Sequence, residues 1–491
     1  MKYVSTRGQA PAVSGSEAII RGLAPDGGLY VPETFPPFDF TNFTKKSYLQ
    51  MAFEILHAYF PEFAPDQLRS DLEAYRDKFE SPEPADLTIR DDRSFLELFH
   101  GPTYSFKDMA LGLLPALMKA AYEVTGRKET ITILVATSGD TGSAALEGFA
   151  GVESTEIIVL YPIDGVSTIQ KILMENVDED NAHVFAIEGN FDHAQAAIKK
   201  VMNDPEMIKL AGEKGRILSS ANSINIGRLL PQTVYYFFAY GRLVREGKIA
   251  FGDRISVSVP TGNFGDILAA IYAREMGLPL GDIFCASNRN KVLTDFIETG
   301  LYDTGRDFYQ TLSPSMDILR SSNLERYLYL VSGGNSDLVS KLYRDLDETG
   351  SFRYPHPLPS YLKAGYADDD QTKMTIKEVL DQEAYLIDPH TAVACRASDE
   401  ADGHRLIVST ASPYKFVDAV WAAVFPDREI PSSLAEKIQD LESLSTAQAP
   451  EKIRRLAKNP VEAKNRISRD RIIEELRRVL ADESYRSRNN G

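Results

Sequence analysis

The apolar positions of this chain fall into two rhythms. Runs nearly continuous in Ile, Val and Leu occur at 130–136 ("TITILVA"), 155–162 ("TEIIVLYP"), 182–189 ("AHVFAIEG"), 255–260 ("ISVSVP") and 405–410 ("RLIVST"). Strands without polar alternation suit a parallel sheet covered on both faces. Helical stretches are expected between them, near 141–150, 167–177 and 191–203. The alternation predicts an α/β architecture. A short apolar strand at 95–99 precedes another helix. There Ala110, Leu113, Leu114, Leu117 and Ala121 recur at three- and four-residue spacing, and the helix opens at Lys107. Pro115 inside it predicts a kink.

The flanks read differently. In residues 1–90, "APDGGLYVP" gives a turn and a short strand, and helices are expected over 48–60 and 65–79. The run "ESPEPAD" (80–86) reads as a linker. Near the other end, "RDRIIEELRRVLADE" predicts an amphipathic helix whose basic residues form a solvated face.

Composition narrows the function classes. With 491 residues, 43% hydrophobic and 25% charged, the chain can bury a large core in two or three domains. Acidic residues outnumber basic ones, 71 to 54, for a formal net charge of -17. That balance argues against nucleic-acid binding, which needs cationic phosphate contacts. The only two cysteines, Cys285 and Cys395, are far apart and offer neither a disulfide framework nor a metal site, so a reducing compartment is expected. The first twenty residues lack the apolar core of a secretory signal. No run reaches the roughly 20 apolar residues of a membrane span. The richest, "TVYYFFAYGRLV", is interrupted by Gly241 and Arg242. A cytoplasmic protein without membrane or nucleic-acid partners is expected.

Ligands of open α/β sheets bind beyond the carboxyl ends of the strands, and three strand ends here carry unusual chemistry. In "VPTGNFGDILAAIYA", Gly262, Asn263, Phe264, Gly265 and Asp266 form a strand-to-helix turn. Converging backbone N–H groups and a helix N-terminus there can cradle a phosphate; a plain turn is the other reading. The loop lacks the lysine of a P-loop and the third glycine of a dinucleotide fingerprint. In "ATSGDTGSAALEGFA", Thr137, Ser138 and Thr141 surround Gly139 and Asp140. They could bind a substrate carboxylate or simply cap the helix. In "IVSTASPYKF", Thr410 and Ser412 place hydroxyls at a strand end, where one could serve a heteroatom of a bound ring.

Together with Lys107, these pieces resemble the threonine synthase family, which belongs to the pyridoxal phosphate (PLP) fold type II enzymes. The ordered motifs span most of the chain: "STRG", "GLAPDGGLYVP", "HGPTYSFKDMA", "ATSGDTGSAA", "SSANSINIGRLLPQ", "PTGNFGD", "SPSMDI", "DPHTAVA" and "STASPYKF". "GLAPDGGLYVP" and "NSINIGR" favour threonine synthases over the related dehydratases. The resemblance implies two open, mostly parallel sheets flanked by helices, with an extra N-terminal α+β region over 1–90. It further implies a large PLP-binding domain (91–129 and 205–440), a small inserted α/β domain (130–204) and a helical tail (441–491).

The resemblance also implies roles. Lys107, in "FKD", is the Schiff-base lysine and catalytic residue. Gly262, Asn263, Phe264, Gly265 and Asp266 hold the cofactor phosphate. Asp140 falls near the ring hydroxyl, where many fold type II enzymes have asparagine, and Thr410 faces the pyridine nitrogen. Asn222, Ser223, Asn225 and Arg228 serve the substrate phosphate, while Thr137 and Ser138 stay candidates for its carboxylate on the strand-end reading alone. Many relatives read "TAHP" where this chain has "TASP", so Ser412 replaces a histidine. His390 reads as a packing residue and stays outside the site.

The residue types suit that chemistry. A lysine amine is nucleophilic only when deprotonated, and burial or a helix N-terminus favours that form. Arginine's planar fork matches a phosphate. The expected reaction converts O-phosphohomoserine and water to L-threonine and phosphate, the last step of threonine biosynthesis. Another fold type II lyase, such as a serine or threonine dehydratase, or a non-catalytic metabolite-binding relative is the alternative. Monomer and homodimer both stay open.

Overall fold

The computed structural model describes residues 1–444, 448–458 and 462–481. Two mostly parallel sheets dominate it. The larger has six strands in the order Leu362–Tyr366, Leu280–Ser287, Ile255–Pro260, Arg405–Ser409, Arg93–Glu97 and Asp86–Ile89. All neighbours are parallel except the last pair, which is antiparallel. Ile255–Pro260 lies near the middle and is buried along its whole length. That double-sided burial is why its sequence is nearly continuous in apolar residues.

The smaller sheet has five parallel strands in the order Arg466–Ser468, Ala182–Glu188, Thr155–Pro162, Thr130–Ala136 and Arg216–Ser219. Thr155–Pro162 is again wholly buried. The helices Asp140–Phe149, Thr168–Glu175 and Phe191–Asn203 connect its strands. Ser167 and Gln170 form a reciprocal capping box that starts the second of these. The N-terminal region is α+β, with an antiparallel sheet of Val13–Ser14, Lys2–Ser5 and Tyr30–Pro32. Helices Gly15–Arg21, Tyr48–Tyr59 and Pro65–Arg76 accompany it.

Three expectations need correction. The helix opening at Lys107 is two helices, Lys107–Leu111 and Leu114–Thr125, with Pro115 in the first turn of the second. Pro115 has no N–H to continue the ladder, so the chain restarts instead of kinking. Helix Asp140–Phe149 packs tightly on the break: Gly148 sits so close to the Leu111 carbonyl oxygen that no β-carbon would fit. The small sheet does not end before 204, because Arg216–Ser219 pairs with Thr130–Ala136.

Nor is the region after 441 all helix. It has helices Glu451–Ala457 and Ile472–Ala481, but Arg466–Ser468 between them joins the small sheet, with Ile467 opposite Ile187. A three-residue strand with one buried side chain leaves no periodicity to read. The amphipathic helix that follows buries Ile472, Leu476, Val479 and Leu480 in the small sheet's core. Residues 482–491 of the expected tail lie outside the described residues.

Candidate active site

A cavity of about 1470 Å³ opens where the carboxyl ends of both sheets meet. Lys107 reaches it from a tightly stitched loop. The Asp108 carboxylate accepts from the Thr103 N–H at 2.8 Å and the Thr103 hydroxyl at 2.6 Å, which closes the turn before Lys107. The Phe106 N–H donates to the Thr410 carbonyl at 2.8 Å, and the Ser412 N–H to that of Tyr104 at 3.0 Å. These bonds fix Lys107 beside the end of strand Arg405–Ser409, so two sites 300 residues apart in sequence form one wall.

The Lys107 side chain is 13% exposed. Burial pushes its amine down to about 8; Asp140 opposes this, while Arg228 and Lys415 add to it. Asp140 Oδ2 is 3.9 Å from Lys107 Nζ, and Oδ1 is 2.8 Å from Lys415 Nζ. Gln170 Nε2 donates to Oδ1 at 2.8 Å and the Ser315 hydroxyl to Oδ2 at 2.7 Å. Burial alone would raise the Asp140 carboxyl, yet Lys415, Lys107 and His390 hold it well below the usual carboxylate range.

Strand Ile255–Pro260 delivers the glycine loop. Phe264 takes a left-handed conformation (φ 62°) and is buried against Tyr327, with ring centroids 5.4 Å apart. Helix Gly265–Glu275 follows directly. The Ser321 hydroxyl donates to the Gly262 carbonyl at 2.5 Å, and the Asn323 N–H to that of Asn263 at 3.0 Å. Those carbonyls are therefore turned into the protein. Among the described residues, the N–H groups of Gly262, Asn263 and Phe264 donate to no protein acceptor. The Asp266 carboxylate accepts from the Tyr235 and Tyr236 hydroxyls. Burial raises it to about 6 against those two bonds.

The other expected residues divide. Ser138, Asn222, Ser223, Arg228 and Thr410 line the cavity with Lys107, Asp140 and the glycine loop. Thr137 also lines it, but its hydroxyl accepts from the Gly139 and Gly142 N–H groups at 2.9 and 2.8 Å and so caps the helix. Ser223 Oγ lies 3.0 Å from Ser322 Oγ. Arg228 is 4% exposed. One of its amines donates to the Ala221 carbonyl at 2.8 Å, its Nε is buried without a partner, and among the described residues no carboxylate pairs with it. Burial lowers this guanidinium to about 10.

Asn225 points elsewhere. Its amide donates to the Ile19 carbonyl at 2.9 Å and its oxygen accepts from the Gly227 N–H at 2.9 Å. Both bonds are internal and fully buried, so it caps helix Ile226–Leu229 and ties that helix to the N-terminal region. It does not belong among the cavity residues.

Four further residues complete the site: Lys415, Gln170, Ser315 and His390. Lys415 has no exposed surface, and its signal was a cation between Tyr414 and Phe416 in an otherwise apolar turn. Ser315 lies in "SPSMDI", and Gln170 doubles as a helix cap. His390 Nδ1 lies 2.6 Å from Asp388, and its Nε2 accepts from the Ser315 N–H at 3.3 Å. It thus packs and orients the Ser315 loop while lining the cavity.

Two mostly parallel sheets with a largely buried lysine between their carboxyl ends and a glycine loop opening a helix define the fold type II architecture. Comparisons with known proteins agree. The family model described as "Threonine synthase N terminus" matches residues 2–75. Threonine synthase of Pseudomonas aeruginosa is 37% identical over 450 residues, 89% of this chain and 93% of that protein. The crystal structure of PLP-bound threonine synthase from Brucella melitensis superposes with a TM-score of 0.86 at 35% identity, covering 99% of this chain and 100% of that one. Human threonine synthase-like 1 is 40% identical over 431 residues, 83% of this chain; the chain spans 58% of that longer relative. This chain belongs to the threonine synthase family.

Proposed function

We propose that the protein converts O-phosphohomoserine and water to L-threonine and phosphate with pyridoxal phosphate as cofactor. The observation that carries the reading is the pairing of a buried, easily deprotonated lysine with a row of unpartnered backbone N–H donors at one cavity. Such donors at a helix N-terminus suit a phosphate monoester. Lys107 suits an aldehyde, and Thr410 supplies a neutral hydroxyl in the same wall. The residues therefore fit the cofactor: Lys107 and Gly262, Asn263, Phe264, Gly265 and Asp266 would hold it, with Asp140 and Thr410 beside its ring.

When bound, pyridoxal phosphate supplies the electron sink that acidifies the substrate's Cα and Cβ protons and lets the γ-phosphate leave. The chain does the rest. Lys107 Nζ takes the proton from Cα, as an amine near neutrality is suited to do. Arg228, a buried guanidinium with no carboxylate of its own, takes the γ-phosphate and the charge it gains on leaving. Asn222 and Ser223 orient that phosphate, and Ser138, on the facing wall, suits the substrate carboxylate. The two walls belong to the proposed large and small domains, with Lys107, the glycine loop and Thr410 on one and Asp140 on the other.

A cytoplasmic setting suits the two buried, unpaired cysteines. Among the described residues no helix is long and apolar enough to cross a membrane. The test is to supply pyridoxal phosphate and O-phosphohomoserine and to assay phosphate and threonine together. Equal release of both supports the reading. Phosphate with 2-oxobutanoate in place of threonine would move the function to a lyase of the dehydratase kind.

A further inference from the structure

Asp140 is held between two lysines. Lys415 Nζ is 2.8 Å from Oδ1, and Lys107 Nζ is 3.9 Å from Oδ2. Lys415 is wholly buried, and among the described residues Asp140 is the carboxylate it pairs with. A buried ion pair is costly to desolvate and is weak support for stability. Its effect on a third charge is a better reason for its presence. Without Lys415, a buried carboxylate beside Lys107 would stabilise the ammonium form, which can neither attack nor accept a proton. With Lys415 on Oδ1 the carboxylate is compensated, and the second cation acts on Lys107 in the opposite sense. Gln170 on Oδ1 and Ser315 on Oδ2 fix the carboxylate's rotation.

We propose that Lys415 is a positioning residue that compensates Asp140 and so keeps that carboxylate from locking Lys107 as an ammonium ion. The proposal rests on the reading of Lys107 as the reactive amine. The charged groups that face Lys107 are Asp140, Lys415 and Arg228. Asp140 also faces His390, whose Nδ1 is engaged by Asp388, and Lys415 also acts on the buried Asp108 carboxyl.

The test follows the acylation of Lys107 by acetic anhydride against pH in the full-length protein freed of bound aldehyde, with peptide mass spectrometry as the readout. Lys415→Met should raise the midpoint for Lys107 by about one pH unit or more, and Lys415→Arg should keep it within about 0.3 of wild type. Asp140→Asn, which removes the carboxylate that favours the ammonium form of Lys107, should lower it. The double variant Lys415→Met/Asp140→Asn removes both charges and should return it to within about half a unit of wild type. Should Lys415→Met not fold, the last two variants decide. An unmoved midpoint in folded Lys415→Met, or in Asp140→Asn, overturns the proposal. Borohydride trapping of pyridoxal phosphate onto Lys107 is measured alongside. Its failure in wild type would sink the functional reading, whereas intact trapping with unmoved midpoints would sink the role of Lys415 alone.

Discussion

Gly262 lies so close to Ser315 that a β-carbon at 262 would stand 2.7 Å from the Ser315 carbonyl oxygen. The same Ser315 donates its hydroxyl to Asp140. The glycine loop and the carboxylate on the opposite wall are thus set by one shared contact.

Gly262→Ala should therefore act on both. Overpacking of this kind costs about 1–3 kcal/mol. Pyridoxal phosphate should bind at least about tenfold more weakly, read by absorbance titration, and the melting temperature should fall. Wild-type affinity in this variant would mean that the loop yields without consequence.

Arg228 is a buried cation without a carboxylate, so its removal should relieve the folded protein, not harm it. Arg228→Met is expected to leave thermal stability within about 1 kcal/mol of wild type and cofactor binding intact. Turnover of O-phosphohomoserine should fall about 100-fold or more, since charge-assisted bonds contribute about 1.5–3 kcal/mol each. Equal loss of cofactor binding and turnover would reassign the residue.

The lowered amine of Lys107 makes stability depend on pH in a defined sense. Its value is about 8 in the folded protein against 10.5 in the unfolded chain. Above 10.5 both forms are neutral and this group imposes no penalty. As pH falls through the folded value, the buried site must accept a charge that the unfolded chain already carries. Between about 8 and 10.5 the unfolded state binds more protons, so stability rises with pH there. In the cofactor-free protein, Lys107→Met should therefore be more stable than wild type at pH 7.5 by up to about 3 kcal/mol, with the gap closing by pH 10. Urea titrations at both pH values check this, and a gap that widens with pH contradicts the assigned direction.

The C-terminal strand offers a structural test. Ile467 is buried in the small sheet's core, and Arg216 donates to the Val479 and Leu480 carbonyls just beyond. Ile467→Asp would bury an unpaired carboxylate and should cost about 2–4 kcal/mol. Limited proteolysis should then cut within 462–481 well before the rest of the chain. Resistance equal to wild type would show that the strand contributes little.

The sequence revealed features whose cause is local or doubly buried. Strands Thr130–Ala136 and Thr155–Pro162 were legible because both faces are covered, whereas Lys107, at the start of a helix where lysines are usually solvated, stood out only alongside the other motifs. What escaped depends on chain brought from a distance. Lys415 carries one local sign, its place between Tyr414 and Phe416, but its role shows only when Asp140 is placed against it. Asn225 and Arg228 share one short motif, yet only the fold turns the arginine into the cavity and the asparagine onto Ile19. Arg466–Ser468 has one inward side chain and becomes a strand only because Ala182–Glu188 presents an open edge.

That last pairing bears on how the protein is made. Asn465 bonds the Val184 carbonyl at 3.0 Å across 281 positions of sequence. As a growing chain leaves the ribosome, the edge at Ala182–Glu188 stays bare until Arg466–Ser468, about 280 residues further on, has emerged. An uncapped edge invites pairing with other nascent chains. Premature termination anywhere between the two strands would leave a product with its sheet unfinished, and such fragments are natural clients for chaperones and proteases.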